Sequence, residues 1–240
     1  VRDRPTPADP TLRCELLVVQ GEAQTLAADY VAARETLRAA ADLALATGAN
    51  AYLARVAIAF EDASWRPGLT GEESISLLRQ ALERSDGNDL RLHAQLLSSL
   101  TRALIFSGAL AGALLTHEQA VDTAVRAGDA GTLVTALCSG LSARWQPDRL
   151  DARLAAAAEA IRIARQLGDQ GRVLEVLPWR LFDLMEAGRD AEFRREYAQY
   201  VALSDALRRP FSVYTSASFR PALALMEGDL AASERAANEL

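Results

Sequence analysis

Apolar positions fall at helical spacing in this chain, in blocks of similar length. Over 89–129, DLRLHAQLLSSLTRALIFSGALAGALLTHEQAVDTAVRAGD, Leu97, Leu100 and Leu104 lie three and four residues apart and lay an apolar stripe along one helix. Ser107-Gly108 ends that helix, because glycine enters the left-handed cap conformation without steric cost. Ala113, His117, Ala120 and Ala124 then form a narrow, small-residue face on a second helix, closed by Gly128. One such hairpin cannot bury its own apolar face, so it needs neighbours.

Shifting the chain against itself by about forty residues supplies them. Ala120, Ala124 and Gly128 recur as Ala160, Ala164 and Gly168, and earlier as Ala40, Ala44 and Gly48. The turn glycine Gly108 recurs as Gly188 and Gly228. Two markers on one period, with a helix pair in each unit, are the pattern of an α-solenoid.

The predicted layout is a polar, proline-containing lead over 1–10, either a linker or the tail of a preceding domain, and a helical repeat domain over 11–240. Its units run over about 11–50, 51–88, 89–129, 130–169, 170–210 and 211–240. Two departures stand out. Glu61 to Ser74 reads as a longer loop with Trp65, Pro67, Gly68 and Gly71, and Thr70 and Glu73 have capping-box spacing for the next helix. Such a loop is a place for function, although Trp65 packing over the end of a repeat is the commoner arrangement. In the fourth unit Trp145-Gln146-Pro147 replaces the turn glycine, and Pro147 suits the first turn of the helix that follows. Pro178 is expected to bend its helix or delay its start. The sixth unit stops at Leu240 without a polar capping helix, and the chain opens on Val1, so a piece of a longer protein is expected.

Composition narrows the function. Half the residues are apolar and 24% charged, with a formal charge of −6 and no basic cluster, which argues against a grip on nucleic acid. All 26 basic residues are arginine, which coding bias in a GC-rich genome accounts for. No apolar run suggests a membrane span and no signal-peptide pattern opens the chain. Cys14 and Cys138 both fall in helical segments and read as reduced, buried thiols of a cytoplasmic protein; nothing supports a disulfide between them.

At this point the residues resemble a known family. Gly21, Ala33, Leu37 and Ala40, and again Leu97, Leu100, Gly108, Ala113 and Ala120, match the small and large positions of the tetratricopeptide repeat. The unit here is longer and lacks the consensus tryptophan and closing proline, so the resemblance is to a divergent branch. LRLHAQLLSSLTRALIFSG (90–108), PWRLFDLMEAGR (178–189) and PALALMEGDLAASERAANEL (221–240) look like the helical arm of large ATP-binding LuxR-type regulators of actinobacteria, of the STAND/AAA class. Nucleotide cyclases with the same ATPase-plus-repeat layout are similar too. The resemblance implies an all-α solenoid of about six tetratricopeptide-like hairpins. It further implies a non-catalytic sensor or protein-interaction arm that holds an ATPase off until an inducer or partner binds. The alternatives are the regulatory arm of a nucleotide cyclase, or a free-standing adaptor that oligomerises, possible as a homodimer.

Enzyme signatures are absent from the sequence: no GxxxxGK[ST], no GxGxxG and no GxSxG. His93 and His117 are the two histidines, and neither has a second ligand at metal-binding spacing, so no metal and no cofactor are expected. His117 takes the register position of Leu37 and reads as a core histidine. Glu72-Glu73, Asp148, Asp151 and Glu234 read as helix-start and surface charges. In stacked hairpins the first helix of each unit lines the concave face, the usual ligand groove. The register then offers Arg102, Ser142, Trp145, Phe182 and Met185 as groove residues, with Gln95, Ser98 and Ser218 nearby. An aromatic, apolar groove with one or two arginines suits a peptide, an amphipathic helix of a partner protein, or a small apolar inducer with an anionic group. Trp145 and Phe182 have a second reading, as inter-repeat core.

Overall fold

A computed structural model describes residues 9–69, 71–85, 87–141 and 149–240. Among them are twelve α-helices and no strand. The chain divides into two compact units, 1–143 and 144–240.

The first unit contains α1 (Pro10–Leu26), α2 (Tyr30–Thr47), α3 (Asn50–Trp65), α4 (Glu72–Arg84), α5 (Leu90–Phe106), α6 (Leu110–Ala127) and α7 (Ala130–Ser139). Each helix packs on its neighbours in sequence, α1 on α2, α3 on α4 and α5 on α6, and α3 also packs on α1 and α5. The core is built largely of alanine and leucine: Ala33, Leu37 and Ala40 of α2, Leu53 and Ala57 of α3, and Leu96, Leu100 and Leu104 of α5 are all buried. Small residues let the helices approach closely. A Cβ added at Gly21 of α1 would lie 2.4 Å from Leu37 Cγ, so only glycine fits there. Gly140 does the same for buried His117, whose ring would stand 2.2 Å from an added Cβ. His117 thus sits in the core, as its register position predicts.

The second unit contains α8 (Leu150–Gln166), α9 (Gln170–Glu186), α10 (Asp190–Leu207), α11 (Pro210–Met226) and α12 (Leu230–Asn238). Helix α9 packs on α8 and α10, and α11 on α12. Its core joins the aliphatic Leu154, Ile161, Leu174, Leu177 and Leu181 to a cluster of rings, Phe193, Tyr200 and Phe219.

Turns repeat with the helices. Gly128 (φ 65°) ends α6 in the left-handed conformation, and Asp129 at once caps α7 by accepting the Thr132 N–H at 2.8 Å. Asp89, Asp169 and Asp229 cap α5, α9 and α12 in the same way. The left-handed position is kept even where glycine is missing. Ala28 (φ 63°) and Arg208 (φ 49°) occupy the register positions of Gly108 and Gly168. The local geometry therefore belongs to the repeat rather than to the residue.

Three expectations need correction or bounding. Glu61 to Trp65 are the last turn of α3 and not loop. Arg66 still has helical φ and ψ, but Pro67 has no N–H to continue the helical hydrogen bonding, and Gly68 (φ 74°) then turns the chain. Pro178 does not delay its helix: α9 runs unbroken from Gln170 to Glu186. Cys14 is buried, with its thiol donating to the Ala40 carbonyl at 3.7 Å, whereas Cys138 is half-buried; both are free thiols. Thr70 of the expected capping box, and Ser142, Trp145, Pro147 and Asp148, lie outside the described residues.

Candidate functional site

Two constellations, one in each unit, contain the described groove residues. In the first unit the centre is Arg102, on the face of α5 that meets α3. Its Nε donates to both carboxylate oxygens of Glu61, at 3.0 and 2.9 Å, and Nη2 bonds Glu61 as well. Asp62 Oδ1 stands 3.7 Å from the same guanidinium. Glu61 is wholly buried, while the Arg102 side chain keeps 22% of its surface. Asp62 is claimed from three sides: Arg66 Nη2 at 3.1 Å, Trp65 Nε1 at 3.0 Å, and Arg102. Above them the Trp65 ring stacks on Phe106 with centroids 5.9 Å apart, and the Arg66 and Arg102 guanidinium carbons lie 5.0 and 5.2 Å from its centroid. Buried charges, half-covered aromatics and arginines thus meet where α3 and α5 end.

Their titration follows from the geometry. Burial pushes the Glu61 carboxyl up to about 7, with the charge and hydrogen bonds of Arg102 opposing it. Asp62 is desolvated too, but Arg66, Arg102 and the indole N–H hold it below the ordinary carboxylate range. Arg102 pays a desolvation penalty that Glu61 and Asp62 outweigh, so its charge is secured. Of its neighbours on α5, Gln95 is half-buried, and Ser98 is buried with its hydroxyl donating to the Ala94 carbonyl at 2.7 Å. Ser98 therefore offers nothing to a ligand in this conformation.

A second ionic cluster in this unit ties α2 to α4. Arg38 Nε donates to Glu73 at 2.6 Å, Arg34 to Glu73 at 3.2 Å and to the Leu69 carbonyl at 2.9 Å, and both guanidiniums lie over the Phe60 ring. It clasps the segment between α3 and α4 to α2.

In the second unit Phe182 and Met185 lie one turn apart on α9, Phe182 36% exposed and Met185 half-buried. Phe182 packs on Phe219 with centroids 4.9 Å apart, and Phe219 also meets Phe193, Tyr197 and Tyr200. One face of Phe182 joins the core through Phe219 and the rest of the ring is open. Ser218 is half-buried on α11, its hydroxyl donating to the Thr215 carbonyl at 2.7 Å. Beneath this face Arg153 of α8, wholly buried, donates to Asp183 Oδ1 at 2.8 Å and bonds Glu186. Burial raises the Asp183 carboxyl despite Arg153.

Sequence reasoning singled out Arg102 and Trp65 but missed Glu61 and Asp62, their partners. A signal was present, since Asp62 is the register equivalent of Arg102 and Glu61 precedes it. Among the described residues no group of histidines, cysteines and carboxylates has the makings of a metal site. No helix there is long and apolar enough to cross a membrane.

No family model matches the sequence, and no curated protein matches it. Solved structures do match in fold. One is a Rap protein complexed with Competence and Sporulation Factor, at a TM-score of 0.77 and 14% identity, over 95% of this chain and 64% of that one. Another is a signal transduction ATPase with numerous domains, with a tetratricopeptide repeat sensor, from Pyrococcus horikoshii. It matches at a TM-score of 0.61 and 10% identity, over 97% of this chain and 36% of that one. The chain spans less than two thirds of the length of either. Identities this low speak to fold alone, and the fold is an all-α solenoid of tetratricopeptide-like hairpins.

Proposed function

We propose that this chain is a non-catalytic sensor and protein-interaction scaffold of the cytoplasm, and the arm of a larger ATP-dependent transcriptional regulator. The observation that supports it is the fold shared with a Rap protein complexed with Competence and Sporulation Factor and with an ATPase whose repeat region is named its sensor. In this reading the ligand is a peptide or a small apolar inducer. The first helices of the hairpins offer it Arg102 and Gln95 in the first unit and, as a separate surface, Phe182, Met185 and Ser218 in the second. Ser142 and Trp145 belong to the same register. Binding that favours one arrangement of the helices over another shifts the population toward it, and that shift is the signal.

A peptide array probed with the whole chain tests this. Peptides rich in apolar residues are expected to bind the wild type and to lose about tenfold or more in affinity on Phe182→Ala, since the open part of that ring is the anchor. Circular dichroism checks that the variant stays helical. Unchanged binding by a folded Phe182→Ala chain, or no binding by the wild type, overturns the assignment.

A further inference from the structure

The second unit holds a cleft that the groove reading does not use. It has a volume of about 450 Å³ and lies between α8 and α10, the second helices of consecutive hairpins, over Arg180 of α9. Four arginines line it, Arg162, Arg165, Arg180 and Arg195, against one carboxylate, Glu196. In a chain of net charge −6 this is a local reversal of sign.

The four are not equivalent. Arg180 forms the floor, only 13% exposed, and is held by Glu196 at 2.8 Å and by the Leu154 carbonyl at 3.1 Å. Arg162 is neutralised by Glu159 at 2.6 Å. Arg165 and Arg195 are different: among the described residues neither meets a carboxylate. Arg165 reaches across the cleft to the neutral Gln199 amide oxygen at 3.0 Å, and Arg195 is exposed with no hydrogen-bond partner there. An amide in place of an acid spans the gap without cancelling the charge. Two guanidiniums, one from each wall, are thus left with open donors, and guanidinium forks suit the paired oxygens of phosphate and carboxylate. Ile161 supplies an apolar patch on the same lining, and the volume is that of an ordinary small-molecule pocket.

We infer that this cleft binds a multiply charged small anion, whose phosphate or carboxylate groups bridge Arg165 and Arg195. The site draws α8 and α10 together across α9, so its occupancy would stiffen the unit around the helix that contains Phe182.

Isothermal titration of the whole chain at low salt tests it, with inorganic pyrophosphate and citrate as probes for the two sources of charge. One bound anion per chain is expected, with affinity falling about tenfold in each of Arg165→Gln and Arg195→Gln. Both side chains are exposed, so the variants should fold, which circular dichroism checks. Arg84→Gln, on the exposed surface of α4, should bind as the wild type. Tighter binding of pyrophosphate assigns a phosphate ligand, and tighter binding of citrate a carboxylate. No heat with either probe, unchanged binding in the two cleft variants, or an equal loss in Arg84→Gln overturns the inference.

Discussion

Raising the pH should weaken this fold through one side chain, Glu61. Its carboxyl is wholly buried on α3, and burial raises it from 4.5 to about 7 because Arg102 offsets only part of the desolvation. The Asp62 carboxylate, 3.7 Å from the same guanidinium, repels the charge on Glu61 and pushes its carboxyl further up. The folded chain therefore binds this proton more tightly than the unfolded chain. The resulting stability is complete below about pH 4.5 and is lost as pH rises through about 7. The gap between those values, at about 1.4 kcal/mol for each pH unit, amounts to roughly 3 to 4 kcal/mol in full, most of which falls between pH 5 and pH 8.5. The perturbation that isolates it is Glu61→Gln, which keeps the shape and an oxygen for Arg102 but never ionises. Urea unfolding followed by circular dichroism at the two pH values measures the difference. The wild type should lose roughly 2 to 3 kcal/mol, and the variant only the part contributed by Asp183 and Cys14, which burial also raises. At pH 8.5 the variant should be the more stable protein, because its amide never places a charge in the buried site. A variant less stable than the wild type at pH 8.5 would show that the attraction of Arg102 outweighs burial, and the reasoning would fail.

Two further predictions concern the backbone and the core. Ala28→Gly and Arg208→Gly should each stabilise the chain by about 1 kcal/mol in the same unfolding assay, because both residues sit at positive φ where the repeat elsewhere has glycine. A loss of stability on either substitution would mean that the strain is absent. Gly21→Ala should destabilise by about 1 kcal/mol or more, as a Cβ 2.4 Å from Leu37 Cγ overpacks the α1–α2 contact by more than the gain in helix propensity returns. The loss should shrink in a Leu37→Ala background, and strict additivity would refute the contact.

The fold was legible because its determinants are periodic. Gly48, Gly128 and Gly168 mark one turn and Gly108, Gly188 and Gly228 the other, and backbone conformation at those positions is a local matter. The end of α3 was harder to read, since Trp65-Arg66-Pro67-Gly68 looks like loop from its first residue, whereas the helical conformation persists through Arg66 up to the proline that lacks an N–H. Arg102 could be placed on a face, but not its partner. Register says which helix faces which, not how far a guanidinium reaches, and here it reaches one repeat back to Glu61. For Ser98 the register gives a position but not the bond its hydroxyl makes, which is to the Ala94 carbonyl of its own helix. Arg165 and Arg195 carry no motif at all, and only the approach of α8 to α10 across α9 makes them a pair.

Helix α12 has no buried side chain, and Leu230 at its start is 70% exposed. What fastens it is its contact with α11 and one hydroxyl bond, from Ser233 to the Pro221 carbonyl at 2.9 Å. Its amides can therefore meet solvent by fraying, without any opening of the Phe219 core. Hydrogen exchange in the second unit should accordingly run as a gradient, fastest in α12 and slowest around α9, so that α12 gains the most order from any surface laid against it.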